Sequence, residues 1–352
     1  MTDTSLYGTP RSGPTADGEE LLRRGTALVD PPLRAAVDRL HPSMAAVCRY
    51  HLGWDADASP TPVRHVAKRV RAALALLSVR SVEAPERFAA VAGTAVELVH
   101  QLSLLHDDIM DGDTERRGRP AAWARFGTGA AVLAGDALVV QAVATVFRAQ
   151  APGARAAMEE LIGTVERMVE GQAEDLALER CALREVSASR YAHMARGKTG
   201  ALFGCAAALG AVLADAPPPV VRALRGAGSD LGVAFQILDD VLGLWGDGAL
   251  TGKPVGTDLV RGKKTLPLVL AATADSAAGR GVAELLDSVP LPRDRVPEVM
   301  RRLAAAGGRE RAEEAAAHQV ASALAALDAA ELPGAVRQEW SSLVDCLSRR
   351  RR

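Results

Sequence analysis

From Glu19 onward, proline and glycine cut the chain into segments of helix length, within which apolar residues recur at three- and four-residue spacing. The breaks fall at Pro31-Pro32, Gly53–Pro62, Gly112–Pro120, Pro152-Gly153, Pro217–Pro219, Gly246–Gly256 and Pro290–Pro297. No strand-length alternation and no repeat of fixed period interrupts this pattern. Alanine and leucine, both strong helix formers, dominate, and aromatic residues make up only 3 %. These features predict an all-α domain over residues 21–348. A disordered tail rich in Gly, Pro, Thr and Ser is expected at 1–20, with a short motif for an unknown partner as its alternative reading, and a solvated basic tail at 349–352. Two weakly polar stretches, Gly127–Phe147 and Thr199–Ala214, read as buried helices. The first is broken by Asp136 and the second is too short to span a bilayer.

A net charge of −1 gives no global field toward nucleic acid or an anionic membrane. Any handling of anions must come from local basic clusters or bound metal. Cys48, Cys181, Cys205 and Cys346 are far apart and form no CxxC pair, which suits buried thiols in a reducing cytoplasm. The first residues, MTDTSLYGTP, carry no secretory signal pattern.

The segment Val96–Asp113 reads VELVHQLSLLHDDIMDGD. On a helix, His100, Ser103, Asp107 and Asp111 form one stripe. Two carboxylates one turn apart repel each other unless a cation lies between them. Oxygen-only ligands select a hard cation, Mg2+ or Mn2+, over zinc, and Mg2+ completes its shell with phosphate and water. Directly downstream stand Arg116, Arg117 and Arg119, whose planar forks suit phosphate oxygens. The blander alternative is an acidic helix end in mutual surface ion pairing with these arginines. A second acidic segment, FQILDDVLGLWGDGALTGKPVGTDLVRGKK over residues 235–264, places Phe235, Gln236 and Asp239 on one helix face. It continues into a glycine-rich loop with Lys253, Arg261, Lys263 and Lys264. Two helical Asp-Asp sites followed by basic loops are what a cavity for a diphosphate and several Mg2+ ions requires.

At these residues the chain resembles the trans-isoprenyl diphosphate synthases, the farnesyl and geranylgeranyl diphosphate synthase family, from about residue 25 to 345. LLHDDIMDGDTERRGRP resembles the first aspartate-rich motif, and FQILDDVLGLWGD with TGKPVGTDLVRGKKTLP the second. Ala67-Lys68-Arg69-Val70-Arg71 resembles a basic motif in which the family usually has Gly at Ala67 and Pro at Ala72. Gly171-Gln172-Ala173-Glu174-Asp175 and Gly197-Lys198-Thr199 follow in family order.

The resemblance implies a helical bundle around a deep central cavity, the isoprenoid synthase fold, in a cytoplasmic homodimer without a transmembrane segment. It implies head-to-tail condensation of isopentenyl diphosphate with an allylic diphosphate. Mg2+, three ions with substrate bound, would be held by Asp107, Asp111 and Asp239. Arg116, Lys198, Lys253 and Lys263 would add charge around the metal-bound diphosphate. Lys68, Arg71, His100 and Arg117 would bind the second diphosphate without metal. Lys198, Thr199 and Gln236 would face the reacting carbon. Product length is set in this family by bulk below the first motif. Leu102 and Ser103, neither aromatic, imply a C20 product, or C25 and longer with a floor from Ala137, Val140 and Gln141 or from the partner subunit. One departure stands out. The second motif ends in Gly243 where the family usually has aspartate, with Asp247 one turn on as a candidate substitute. A non-catalytic subunit of the same fold and a class I terpene cyclase are the competing readings. The cyclase second motif is absent, and a cyclase needs no second diphosphate site.

Overall fold

A computed structural model of the chain describes residues 14–55, 69–246, 256–274, 277–286 and 291–349. The expected helices are present. They are α1 (Pro14–Asp38), α2 (Pro42–Leu52), α3 (Val70–Arg80), α4 (Arg87–Met110), α5 (Ala122–Phe126), α6 (Thr128–Phe147), α7 (Ala154–Glu179), α8 (Ala188–Ala195), α9 (Ala201–Leu213) and α10 (Pro218–Trp245). They continue with α11 (Thr257–Val260), α12 (Leu266–Ala272), α13 (Ala277–Leu286), α14 (Val296–Ala305), α15 (Gly308–Asp328) and α16 (Gly334–Arg349). Two two-residue strands, β1 (Glu115–Arg116) and β2 (Arg119–Pro120), pair antiparallel between α4 and α5.

α9 sits at the centre. All its 13 residues are buried, from Ala201 to Leu213. A helix with no polar face must be surrounded, and α3, α4, α7 and α10 enclose it. Around this axis Leu74, Leu77, Leu98, Leu138, Leu161, Phe203 and Leu224 form one apolar core. A second core, with Tyr191, Ile237, Leu268, Val299 and Leu303, lies under the C-terminal half of α10. Trp340 on α16 is fully buried, and its Nε1 donates to Ser81 Oγ at 3.1 Å, tying α16 to the end of α3. Burial pushes the Cys48 and Cys205 thiols up to about 12, so both are inert core residues.

Three local features differ from the sequence expectation. α1 begins at Pro14, inside the segment read as tail, because Gly18 packs directly on the Ser342 carbonyl and Cys346 of α16. Pro31-Pro32 does not end α1. Proline lacks the N–H that would reach back to residues 27 and 28, but Val29, Leu33, Ala36 and Val37 are fully buried and hold the helix through the gap. Finally, α6 is not a buried helix. Leu133, Val140 and Phe147 are 58 %, 64 % and 70 % exposed. α4 and α6 are both long and apolar enough to cross a membrane by length and composition, but α4 is mostly interior.

Candidate active site

The first aspartate-rich segment closes α4. Asp111 caps the helix, its N–H donating to the Asp107 carbonyl at 2.8 Å, and Gly112 at φ 65° turns the chain away. The helical phase separates the neighbouring aspartates. Asp107 and Asp111 share the stripe predicted from sequence, while Asp108 turns inward and is 1 % exposed. Asp108 receives Arg116, whose Nε lies 2.7 Å from both carboxylate oxygens. Arg116 therefore spends its charge on the protein wall.

That clamp fixes the hairpin β1–β2. Its two-residue loop is Arg117-Gly118, with φ 55° and 71°, as a twisted two-residue hairpin requires. A non-glycine residue at positive φ is costly, and Arg117 holds it at the rim of a cavity. The cavity has a volume of about 290 Å³, and its wall includes Arg34, Arg69, Arg116, Arg117, Arg119 and His51. Asp30, its carboxylate in the wall, is taken by Arg69. Arg119 stacks 4.1 Å over Tyr50, whose hydroxyl donates to the Pro120 carbonyl at 2.8 Å. Burial, then Arg71, Arg117 and Arg116, push His100 well below the ordinary histidine range, so it is neutral at pH 7. Arg71 does not line this cavity. Its guanidinium lies 4.6 Å from the Phe203 ring centre, within reach of the Glu97 and Asp239 charges. Lys68 and Lys253 lie outside the described residues.

Lys198 and Thr199 are presented by a single π-helical turn, Arg196–Gly200, between α8 and α9. Such turns interrupt α-helices frequently at functional sites. The cause here is a backbone contact: a Cβ on Gly171 of α7 would lie 2.1 Å from Lys198 N. α7 and the π turn touch at Gly171 and Gly197, which sets Lys198 beside Asp175, one turn further along α7. Its Nζ lies 2.5 Å from Asp175 Oδ2. Gly171→Ala should therefore destabilise the fold by about 3 kcal/mol and displace Lys198. An unchanged melting temperature in chemical or thermal unfolding would contradict this contact.

The two acidic segments meet through lysines. Lys263 Nζ donates to Asp111 Oδ2 at 2.9 Å. Burial works against both ammonium groups, but Asp111 and Asp175 outweigh it for Lys263, and Asp107 and Asp175 for Lys198. Burial pushes Asp107 up, Asp111 adds to this, and Lys198 and Lys263 pull it back. Arg261 pairs with buried Asp113. Among the described residues no three His, Cys, Asp or Glu side chains form a ready-made metal cage. Mg2+ needs only one or two carboxylates beside phosphate and water. Oxygen donors that repel one another, with lysines alongside, fit such an ion.

On α10 the same phase separation recurs. Asp239 is exposed, and Asp240 is 6 % exposed. Asp240 Oδ2 accepts from the Tyr191 hydroxyl at 2.6 Å and from Leu266 N at 3.1 Å, and Oδ1 accepts from Gln236 Nε2 at 3.0 Å. The Thr199 hydroxyl in turn donates to Gln236 Oε1 at 2.6 Å. Asp240 is therefore the anchor that orients Gln236 and Thr199. The sequence motifs contain Asp108, Asp175 and Asp240 without giving them a role, and Tyr191 lies outside those motifs. The repeated Asp-Asp pairs were the available signal, since adjacent helical residues cannot face one cavity together.

Burial pushes Asp240 up to about 7 despite its donors. A folded value above the unfolded one means that the folded state binds the proton more tightly. The stability carried by Asp240 is then full below pH ~4 and is lost as pH rises through about 7. Asp240→Asn should flatten the pH dependence of melting between about pH 5 and 8. An unchanged slope in a calorimetric pH series would contradict this.

Leu102 and Ser103 stand on α4 above α6, both partly buried. Ser103 Oγ donates to the His100 carbonyl at 2.9 Å, so it offers neither bulk nor a free polar group. Ala137 and Gln141 are partly buried on α6, but Val140 points outward from the subunit.

Residues 57–303 match the family described as polyprenyl synthetase. A geranylgeranyl diphosphate synthase of Mycobacterium tuberculosis is 40 % identical over 330 residues, 93 % of this chain and 92 % of that protein. This chain belongs to the polyprenyl synthetase family. A (2E,6E)-farnesyl diphosphate synthase of Mycobacterium bovis is 39 % identical over 287 residues, 80 % of this chain and 79 % of that protein. The crystal structure of a polyprenyl synthetase from Streptomyces coelicolor A3(2) superposes with a TM-score of 0.86 at 40 % identity, covering 93 % of this chain and 98 % of that one. The all-α isoprenoid synthase fold expected from the motifs is thereby established.

Proposed function

We propose that this polyprenyl synthetase condenses isopentenyl diphosphate with an allylic diphosphate, head to tail, and that its product is C20. The observation that carries this is the separation of two cationic places. One, around Lys198 and Lys263, is built against Asp107, Asp111 and Asp175. The other is the arginine-lined cavity, where Asp108 and Asp30 are already paired with Arg116 and Arg69. The first suits a diphosphate that arrives with a hard cation, the second a diphosphate that arrives without one.

Asp107, Asp111 and Asp239 would hold Mg2+. Bound there, the ion supplies Lewis-acid charge to a leaving diphosphate. Lys198 and Lys263 place further positive charge beside it. Arg117 and the cavity arginines bind the diphosphate of isopentenyl diphosphate. When the allylic C–O bond breaks, the diphosphate departs with the bonding pair. The isopentenyl double bond then attacks the allylic carbon, and a proton is lost to the departed diphosphate. The Thr199 hydroxyl donates to Gln236, and the Gln236 amide donates to Asp240, so their remaining oxygen lone pairs are held in place for the cationic carbon.

The relatives bear names for both C15 and C20 products. The non-aromatic side chains of Leu102 and Ser103 favour C20. A homodimer is supported by the apolar outer face of α6, which exposes Leu133, Val140 and Phe147. A cytoplasmic location agrees with the buried, protonated thiols of Cys48 and Cys205. Inorganic diphosphate release should require both substrates and a divalent cation together. Release from the allylic diphosphate alone, with a cyclic hydrocarbon, would indicate a cyclase instead.

A further inference from the structure

The arginine-lined cavity carries more cations than its wall carboxylates occupy. Asp108 is taken by Arg116 and Asp30 by Arg69. The charges of Glu97 and Asp108 reach Arg117. His51 adds no charge, because burial, then Arg116 and Arg117, push it down to about 3. Arg34 and Arg119 remain, and among the described residues neither guanidinium has a carboxylate partner. Each lies against an aromatic ring instead. Arg34 is 4.3 Å from the Trp54 ring centre, and Arg119 is 4.1 Å from that of Tyr50. Both rings are set by the end of α2. Gly53 N donates to the Tyr50 carbonyl at 3.0 Å and Trp54 N to the Arg49 carbonyl at 2.9 Å, with Gly53 at φ 73°. This is the Schellman pattern, in which a left-handed glycine closes the last turn. It brings Trp54 back beside the turn that carries Tyr50. The buried Tyr50 ring also meets Arg125 at 4.4 Å and Phe126 edge-on at 5.2 Å. Its hydroxyl bond to the Pro120 carbonyl ties it to β2, the strand that carries Arg119. Stacking engages the flat face of a guanidinium and leaves its in-plane N–H donors for an oxyanion.

We propose that Arg34 and Arg119, positioned by Trp54 and Tyr50, are the residues that select a metal-free diphosphate for this cavity. Neither is among the residues that the family resemblance assigns to the second diphosphate. A metal-free diphosphate brings its full negative charge to two unpaired cations. A diphosphate already complexed with Mg2+ has less charge to offer, and its ion would find Asp30 and Asp108 taken. Selection lies in the difference between these two cases. Trp54 and Tyr50 are positioning residues, because they fix the arginines and need not touch the ligand. The inference rests on the two-diphosphate reading above for the existence of the second site.

The test is calorimetric titration of inorganic pyrophosphate into the full chain, once in EDTA and once in excess Mg2+. The double variant Arg34→Gln with Arg119→Gln should weaken binding in EDTA about tenfold or more and flatten its dependence on NaCl. Binding in excess Mg2+, at the Asp107–Asp111 place, should stay within about threefold of the wild type. Trp54→Leu keeps both charges but frees Arg34, and should weaken binding in EDTA about threefold. In elongation, the double variant should raise KM for isopentenyl diphosphate more than it lowers kcat, and leave KM for the allylic substrate little changed. Arg34 is exposed and Arg119 half-buried, so glutamine at either place removes no core packing. Each single variant is titrated as well, so a misfolded double variant leaves the comparison intact. Wild-type affinity and salt dependence in the arginine variants would overturn the proposal. An equal loss in EDTA and in Mg2+ would overturn it too, since the arginines would then not discriminate. A wild type that binds pyrophosphate in EDTA, beside arginine variants that bind as well, overturns this inference alone. A wild type that binds none in EDTA overturns the second diphosphate site and this inference with it.

Discussion

Asp107→Asn should reduce elongation by about 10³-fold or more while leaving the protein folded. The carboxylate stands half-buried at the end of α4, with Asp111 one turn away. Burial and Asp111 raise its pKa more than Lys198, Lys263 and Arg116 lower it. The metal-free protein therefore gains nothing from ionising Asp107. A neutral side chain of the same shape removes a buried charge and a like-charge repulsion. The melting temperature without divalent cation should be equal to or above that of the wild type. Loss of activity with retained stability is the signature of a residue kept for its ligand. A clear fall in melting temperature would instead make Asp107 a structural residue, and retained activity would remove it from the site.

Ser103→Phe should shorten the product from the proposed C20 to C15 or less. Ser103 is on the Asp107 face of α4, one turn beneath it, and its hydroxyl is turned back onto the His100 carbonyl. A phenyl ring there would project toward α6, where Ala137 and Gln141 are partly buried. The chain growing from the reacting carbon would meet it before reaching full length. Leu102→Phe, off that face, should have a smaller effect. Products are sized by radiolabelled thin-layer chromatography after dephosphorylation. An unchanged C20 product in Ser103→Phe would place the elongation channel elsewhere.

Much of this architecture is legible in the sequence. The periodic apolar residues of α4, α7, α9 and α10, bounded by Gly112, Gly153 and Pro217, give the helices, because those features act locally. The acidic stripe is legible for the same reason. What escapes is whatever depends on residues distant in sequence. The π turn at Arg196–Gly200 has no local signature. It follows from the backbone contact of Gly171 with Lys198, 27 positions away by number. The inward partners of each aspartate pair, Arg116 for Asp108 and Tyr191 for Asp240, depend on which wall the helix meets. The survival of α1 through Pro31-Pro32 depends on burial of Val29 and Leu33. Among the basic residues, position rather than type was illegible. Arg69 reaches the arginine cavity while Arg71 stacks on Phe203, because the helix beginning at Val70 turns the two in different directions. The low polarity of α6 indicated burial, and within one subunit much of that apolar face remains exposed.

The most direct measurement is one incubation of the purified chain with isopentenyl diphosphate, Mg2+ and, in separate tubes, the C5, C10 and C15 allylic diphosphates, followed by sizing of the products. The two proposed diphosphate sites flanking the Asp107–Asp111 stripe predict elongation of the allylic substrates, ending at C20. No elongation from any primer, by protein shown to be folded, would contradict the synthase reading and leave a non-catalytic subunit of the same fold.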